Sequence, residues 1–135
     1  MRRGFAALFL CAVIGLAQPA VPEAVQAQVA HFFKLLAAGE VERAYARLLE
    51  GGPLADSVQQ AQLVEQTYRL HERYGLPLGY ELARMTAYGK SLLRLAYVGL
   101  YGQQAVVWRM HFYRSPRHGW IAIRVVVSDS VEELQ

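Results

Sequence analysis

From Arg84 to Ser128 the chain contains no aspartate and no glutamate. Cysteine is nearly absent as well: Cys11 is the single one among 135 residues. If the segment holding it is removed, no disulfide framework, thiolate metal site or cysteine nucleophile remains, and the domain must stand on its core alone. The four histidines, His31, His71, His111 and His118, include no pair four residues apart on a helix and no zinc-type spacing beside a carboxylate. There is no glycine-rich phosphate loop, nucleophile elbow, internal repeat or low-complexity segment, and Ser128-Asp129-Ser130 reads as a strand end rather than part of a triad. Charged residues make up 19%, too few for a disordered chain, and 54% apolar residues suffice for one real core.

The longest apolar run near the start is Gly4–Ala17, preceded by Arg2-Arg3. A membrane span needs roughly 20 residues, so this shorter run reads as a secretory signal rather than a permanent anchor. Small residues in Gly15-Leu16-Ala17 place the cut after Ala17. A cut after Ala20 would set Gln18 at the third position back. Cys11 raises a lipoprotein alternative, but Leu10 is not the small residue a lipobox wants, and the run before Cys11 is short for its role. The expected organisation is a signal over 1–17, a linker over 18–21, a domain over 22–128 and an acidic tail over 129–135, exported to the periplasm or the cell exterior.

What the chain does have is strand periodicity in its second half. In Gln104–Ser128, Val106, Trp108, Met110 and Phe112 alternate with Val107, Arg109, His111 and Tyr113. The breaker Ser115-Pro116-Arg117-His118-Gly119 marks a hairpin. Pairing Tyr113 with Trp120 sets Phe112 against Ile121, Met110 against Ile123, Trp108 against Val125 and Arg109 against Arg124, with the large apolar groups on one side. The two-residue turn Gly102-Gln103 joins Lys90–Tyr101 to this hairpin, so Tyr97 opposes Trp108, Leu95 opposes Met110 and Arg94 opposes His111. A first strand, Gly79–Tyr88, with a Tyr88-Gly89-Lys90 turn, aligns Met85 with Leu93, Glu81 with Tyr97 and Arg84 with Arg94.

The first half repeats at helical spacing. Pro22-Glu23 opens a helix with Val25, Val29, Phe32, Phe33 and Leu36 inward, closed at Gly39. A second spans Glu40–Leu49, with Val41, Ala44, Tyr45, Leu48 and Leu49 inward and Gly51-Gly52-Pro53 after it. A third begins near Ser57, with Gln60 three residues on as in a capping box. Its stripe is Val58, Ala61, Val64, Tyr68 and His71, with Leu63 and Leu70 beside it, and Gly75 and Pro77 end it. Helices followed by strands imply an α+β fold: three N-terminal helices packed on one face of a four-stranded antiparallel meander sheet.

Phe32-Phe33-Lys34-Leu35-Leu36-Ala37-Ala38-Gly39-Glu40-Val41-Glu42-Arg43-Ala44-Tyr45 and Arg117-His118-Gly119-Trp120-Ile121 together resemble the nuclear-transport-factor-2-like superfamily, the cone-shaped fold shared with ketosteroid isomerases. The resemblance covers about residues 22–128 and departs from larger members in leaving little room for an extra hairpin between the second and third helices. It implies either a binding module or an isomerase- or dehydratase-like enzyme with an acid or base in the cone, and fold does not choose between them.

The expected cone interior holds no carboxylate and no histidine, so an enzyme would have to use Glu81, Tyr97 and His71 near one end. The other expected face carries Arg84, Arg94, Arg109, His111 and Arg124 with Tyr113 and Trp120. Like charges across strands cost some tenths of a kcal/mol each. Compensation would come from solvent, from Glu132-Glu133, from a second copy or acidic protein, or from an anionic ligand. A homodimer or an acidic partner would also cover the aromatics. A small apolar ligand in the cone is a further expectation. A membrane surface is a weaker one, and nucleic acid is disfavoured because an exported protein rarely meets it. The expected function is therefore a non-catalytic exported binding domain, with no metal and no cofactor, and a small cone-fold enzyme as the alternative.

Overall fold

The computed structural model describes residues 20–134. The expected signal over 1–17 and the first half of the linker lie outside them. Among the described residues, no helix is long and apolar enough to cross a membrane. The order is α1 (Glu23–Ala37), α2 (Val41–Leu48), α3 (Val58–Tyr74), β1 (Gly79–Tyr88), β2 (Leu92–Leu100), β3 (Ala105–Ser115), β4 (Gly119–Ser128) and a short 3₁₀ turn, η1 (Val131–Leu134). The strands form one antiparallel sheet in the order β1-β2-β3-β4. The fold is α+β, three helices followed by a four-stranded meander.

The first two helices follow the sequence pattern. Pro22 caps α1, and Val25, Val29, Phe32, Phe33 and Leu36 are buried together with Leu35. At φ +76° Gly39 takes the left-handed conformation that lets the Glu40 amide turn back to the Leu35 carbonyl at 2.9 Å. All five expected inward residues of the second helical stretch are buried. Ser57 caps α3 by accepting from the Gln60 amide at 3.1 Å, while Gln60 Oε1 accepts from the Asp56 amide rather than closing the box on Ser57.

The buried face of α3 differs from expectation. Val58 is 72% exposed and Ala61 and Tyr68 face solvent, whereas Leu63 and Thr67 are buried. Thr67 can occupy that position because its hydroxyl is fully bonded, donating to the Leu63 carbonyl at 2.8 Å and meeting Tyr45 Oη at 2.7 Å.

The β2–β3 register is the expected one, with Tyr97 opposite Trp108, Leu95 opposite Met110 and Arg94 opposite His111. The outer pairs are shifted. In β1–β2, Met85 opposes Leu95 and Arg84 opposes Ala96, because the turn is Gly89-Lys90-Ser91. An extra residue at Ala83 then bulges, so Leu82 opposes Tyr97 and Glu81 opposes Val98. In β3–β4 the loop is Pro116-Arg117-His118, with Ser115 opposite Gly119. Ser115 Oγ accepts from the Arg117 and His118 amides, which fixes that loop and with it a register one residue away from a Tyr113–Trp120 pairing. Arg114 consequently opposes Trp120 and Phe112 opposes Ala122. A second bulge, at Ile123, puts His111 opposite Arg124, Arg109 opposite Val126 and Trp108 opposite Val127.

Trp108, Met110 and Phe112 fill the space between sheet and helices. Phe32 and Phe33 meet the Trp108 indole edge-on, at 6.2 and 5.3 Å between ring centroids. Gly99 makes the hole for that indole: a Cβ there would lie 2.5 Å from Trp108 Cζ3.

Candidate functional site

The sheet presents two chemically different faces. On the inner face a polar chain runs through the core. Trp108 Nε1 donates to Tyr45 Oη at 3.1 Å. Since the Thr67 hydroxyl donates to Leu63, Tyr45 must donate to Thr67 Oγ1 at 2.7 Å. Burial pushes the Tyr45 phenol up to about 12, the bond it accepts from Trp108 pulling the other way. Every member has its partner, so the chain holds Trp108 in place and offers no reactive atom. Tyr45 was legible in sequence as an inward residue. Thr67 could have been found from the spacing of Leu63, Thr67, Leu70 and Tyr74.

The structure does not bring Glu81, Tyr97 and His71 into one site. The bulge at Ala83 turns Glu81 to the outer face, where it is exposed. Tyr97 is buried in the core, its phenol pushed up to about 12 by burial first and by Tyr80 second. His71 lies half-buried with Nε2 2.9 Å from Tyr101 Oη, and burial lowers its pKa. Tyr101 stacks on Trp108 and its phenol is raised, mainly by burial. With Trp108, Met110 and Phe112 fully buried, the interior where an apolar ligand was expected is occupied by side chains. An apolar cleft of ≈ 290 Å³ does lie on the surface, between α1 and the start of β1, lined by Ala30, Phe33, Ala37, Pro77, Leu78 and Tyr80.

The outer face carries the basic residues. Arg84, Thr86, Tyr88, Arg94, Ala96, Arg109 and Leu134 enclose a cleft of ≈ 230 Å³. These side chains come from β1, β2, β3 and η1, so the strand register assembles the cleft. Arg84 Nη1 donates to the Leu134 carbonyl at 3.3 Å. His111 sits between Arg94 on β2 and Arg124 on β4. Burial lowers its pKa first, and Arg94, Arg124 and Arg109 lower it further. A neutral imidazole among guanidiniums is a poor general base, whereas guanidiniums are hydrogen-bond donors matched to carboxylates.

Tyr113 is exposed on this face, as expected. Trp120 is not. With the hairpin shifted by one residue it turns to the helix side and packs against the core, its carbonyl accepting from Gln28 Nε2 at 3.0 Å. Ile121 takes the outer position opposite Tyr113. The expected Arg109–Arg124 pair is replaced by His111–Arg124, which relieves one like-charge opposition. Among the described residues, no group of three or more histidine, cysteine, aspartate or glutamate side chains is placed to hold a metal ion.

No family model matches the sequence, and no curated protein sequence matches it significantly. Solved structures do match. A Campylobacter jejuni protein named as a candidate NTF2-like transpeptidase aligns with a TM-score of 0.51 and 15% identity, over 73% of this chain and 97% of its own. A Catenulispora acidiphila protein solved in complex with S-DNPA aligns with a TM-score of 0.51 and 15% identity, over 82% and 93%. A Parabacteroides distasonis protein named as a candidate ketosteroid isomerase aligns at 0.47 and 12% identity, over 87% and 93%. Identities this low speak to fold and not to chemistry. Three helices laid across one face of a four-stranded meander, aligned at a TM-score of 0.51 with an NTF2-like structure, give this chain an NTF2-like fold.

Proposed function

We propose that this is a non-catalytic exported binding domain whose outer sheet face recognises an acidic segment of a partner protein. One observation carries the reading: Arg84, Arg94 and Arg109, from three adjacent strands, converge on one cleft, in a stretch of chain that contributes no carboxylate of its own. Tyr88 and Tyr113 stand exposed on the same face, and arginine beside aromatic side chains is the composition favoured at interfaces. Charge attraction of this kind acts mainly on encounter and specificity, so the complex should weaken with salt. The filled cone interior counts against the isomerase-like alternative, because a substrate would have to displace Trp108 or Phe112. Export is supported by Arg2-Arg3 and the apolar run after them. Mass spectrometry of the envelope fraction should find an N-terminus at Gln18 or a few residues later, and full-length chain confined to the cytoplasm would refute export.

The test is a pull-down from envelope extract at low and high salt, with wild type and with an Arg84→Glu/Arg109→Glu double variant. Salt-sensitive capture of an acidic protein, lost in the double variant, is expected. A second copy of this chain as the captured species would make the face a homodimer contact. Identical capture by both proteins at both salt concentrations would overturn the reading.

A further inference from the structure

Two residues in the middle of the outer face are more deeply buried than a free sheet surface allows. Val107 is 1% exposed and Ala96 is 5% exposed, although both lie on the side opposite the helices. Among the described residues, the element packed on that side is η1, which contacts β3, and its Leu134 shares the arginine cleft with Ala96. The entry to η1 is anchored: Asp129 accepts from Tyr74 Oη at 2.8 Å through its carboxylate and from Gln104 Nε2 at 3.1 Å through its carbonyl. The segment so held reads Val131-Glu132-Glu133-Leu134, aliphatic residues bracketing two acids. It lies on the one face whose floor is apolar and whose rim is cationic.

We propose that η1 is an intramolecular occupant of the recognition face, and that the face accepts in trans a short peptide of the same chemistry. An aliphatic side chain would settle on the Ala96–Val107 floor, with flanking carboxylates toward Arg84 and Arg109. This rests on the reading of the outer face given above, and adds to it both the kind of partner and a built-in competitor. A tether of a few residues holds η1 at an effective concentration on the order of 1 mM. A peptide of ~0.1 mM intrinsic affinity would therefore bind about ten-fold more weakly to the intact chain than to one whose segment is displaced.

The experiment uses a labelled synthetic peptide with the sequence of residues 128–135, titrated by fluorescence anisotropy. The proteins are wild type, a full-length Leu134→Ser variant and a chain ending at Ser130, each confirmed folded by circular dichroism. Binding about ten-fold tighter to Leu134→Ser and to the shortened chain, weakened by salt and by Glu→Gln changes in the peptide, is expected. Equal affinity for all three proteins would overturn the competitor. So would no peptide binding at low salt to any of them, if the acidic partner is still captured through Arg84 and Arg109. Loss of both peptide binding and partner capture would overturn the outer-face reading as well.

Discussion

The two faces of one sheet have opposite designs. The inner face is closed: Trp108, Met110 and Phe112 are fully buried, and its polar atoms at Trp108, Tyr45 and Thr67 are paired with one another. The outer face holds Arg84, Arg94 and Arg109 around a cleft that Leu134 of η1 helps to line, with His111 beside Arg94 in the sheet. This chain has put packing on the helix side of its sheet and placed its charge on the other. The difference teaches that the polar atoms of Trp108, Tyr45 and Thr67 serve packing, because groups already bonded to one another have no free valence to offer a ligand.

Substitutions at the two faces should separate by size. Trp108→Ala removes the largest fully buried side chain and its bond to Tyr45, and should cost about 3–5 kcal/mol in urea or thermal unfolding. A loss below ~1 kcal/mol would mean that the inner face is not the core. Tyr45→Phe keeps the ring but strands the Trp108 N–H, for a loss of about 1–3 kcal/mol. The paired variant Tyr45→Phe with Thr67→Val should cost less than the sum of the two single losses if the two act as one network, and the coupling energy of the cycle measures it.

Acid should weaken both faces through their histidines. His71 and His111 have pKa values lowered by burial, the latter also by its arginines. The unfolded chain therefore takes up protons first. Stability is fully present above the unfolded value of about 6.5 and is lost as pH falls through the lowered folded values. Unfolding midpoints measured from pH 7.5 down to 5 should decline, and His111→Gln should flatten the decline. A midpoint that rises on acidification would contradict both shifts. Smallest of all, Arg84→Glu/Arg109→Glu should change stability by less than about 1 kcal/mol, since neither side chain is in the core. A large loss would mean that these arginines serve the fold rather than a partner.

How far each strand could be read from sequence depended on what constrained it. The β2–β3 register was legible because both strands bury one face and Gly102-Gln103 fixes the turn. Trp108, Tyr97 and the Arg94–His111 opposition followed directly. The edge strands were not legible to the residue. Ala83 and Ile123 are inserted where a bulge leaves no compositional mark, and each reverses the facing of every residue on one side of it. That is why Glu81 and Trp120 were expected on the wrong faces, while Val125 and Val127 were placed on the right one.

Local chemistry, then, was determined by the sequence alone: helix stops at glycine, strand alternation, a carboxylate-free basic half and three helices before four strands. These follow from backbone sterics and solvent transfer, which act within a few residues. Tertiary structure alone decided which threonine enters the core, which tryptophan leaves the surface, and that Leu134 returns to lie against Arg84. Those outcomes depend on contacts between segments far apart in the chain, where one bulge or one satisfied hydroxyl outweighs the local pattern.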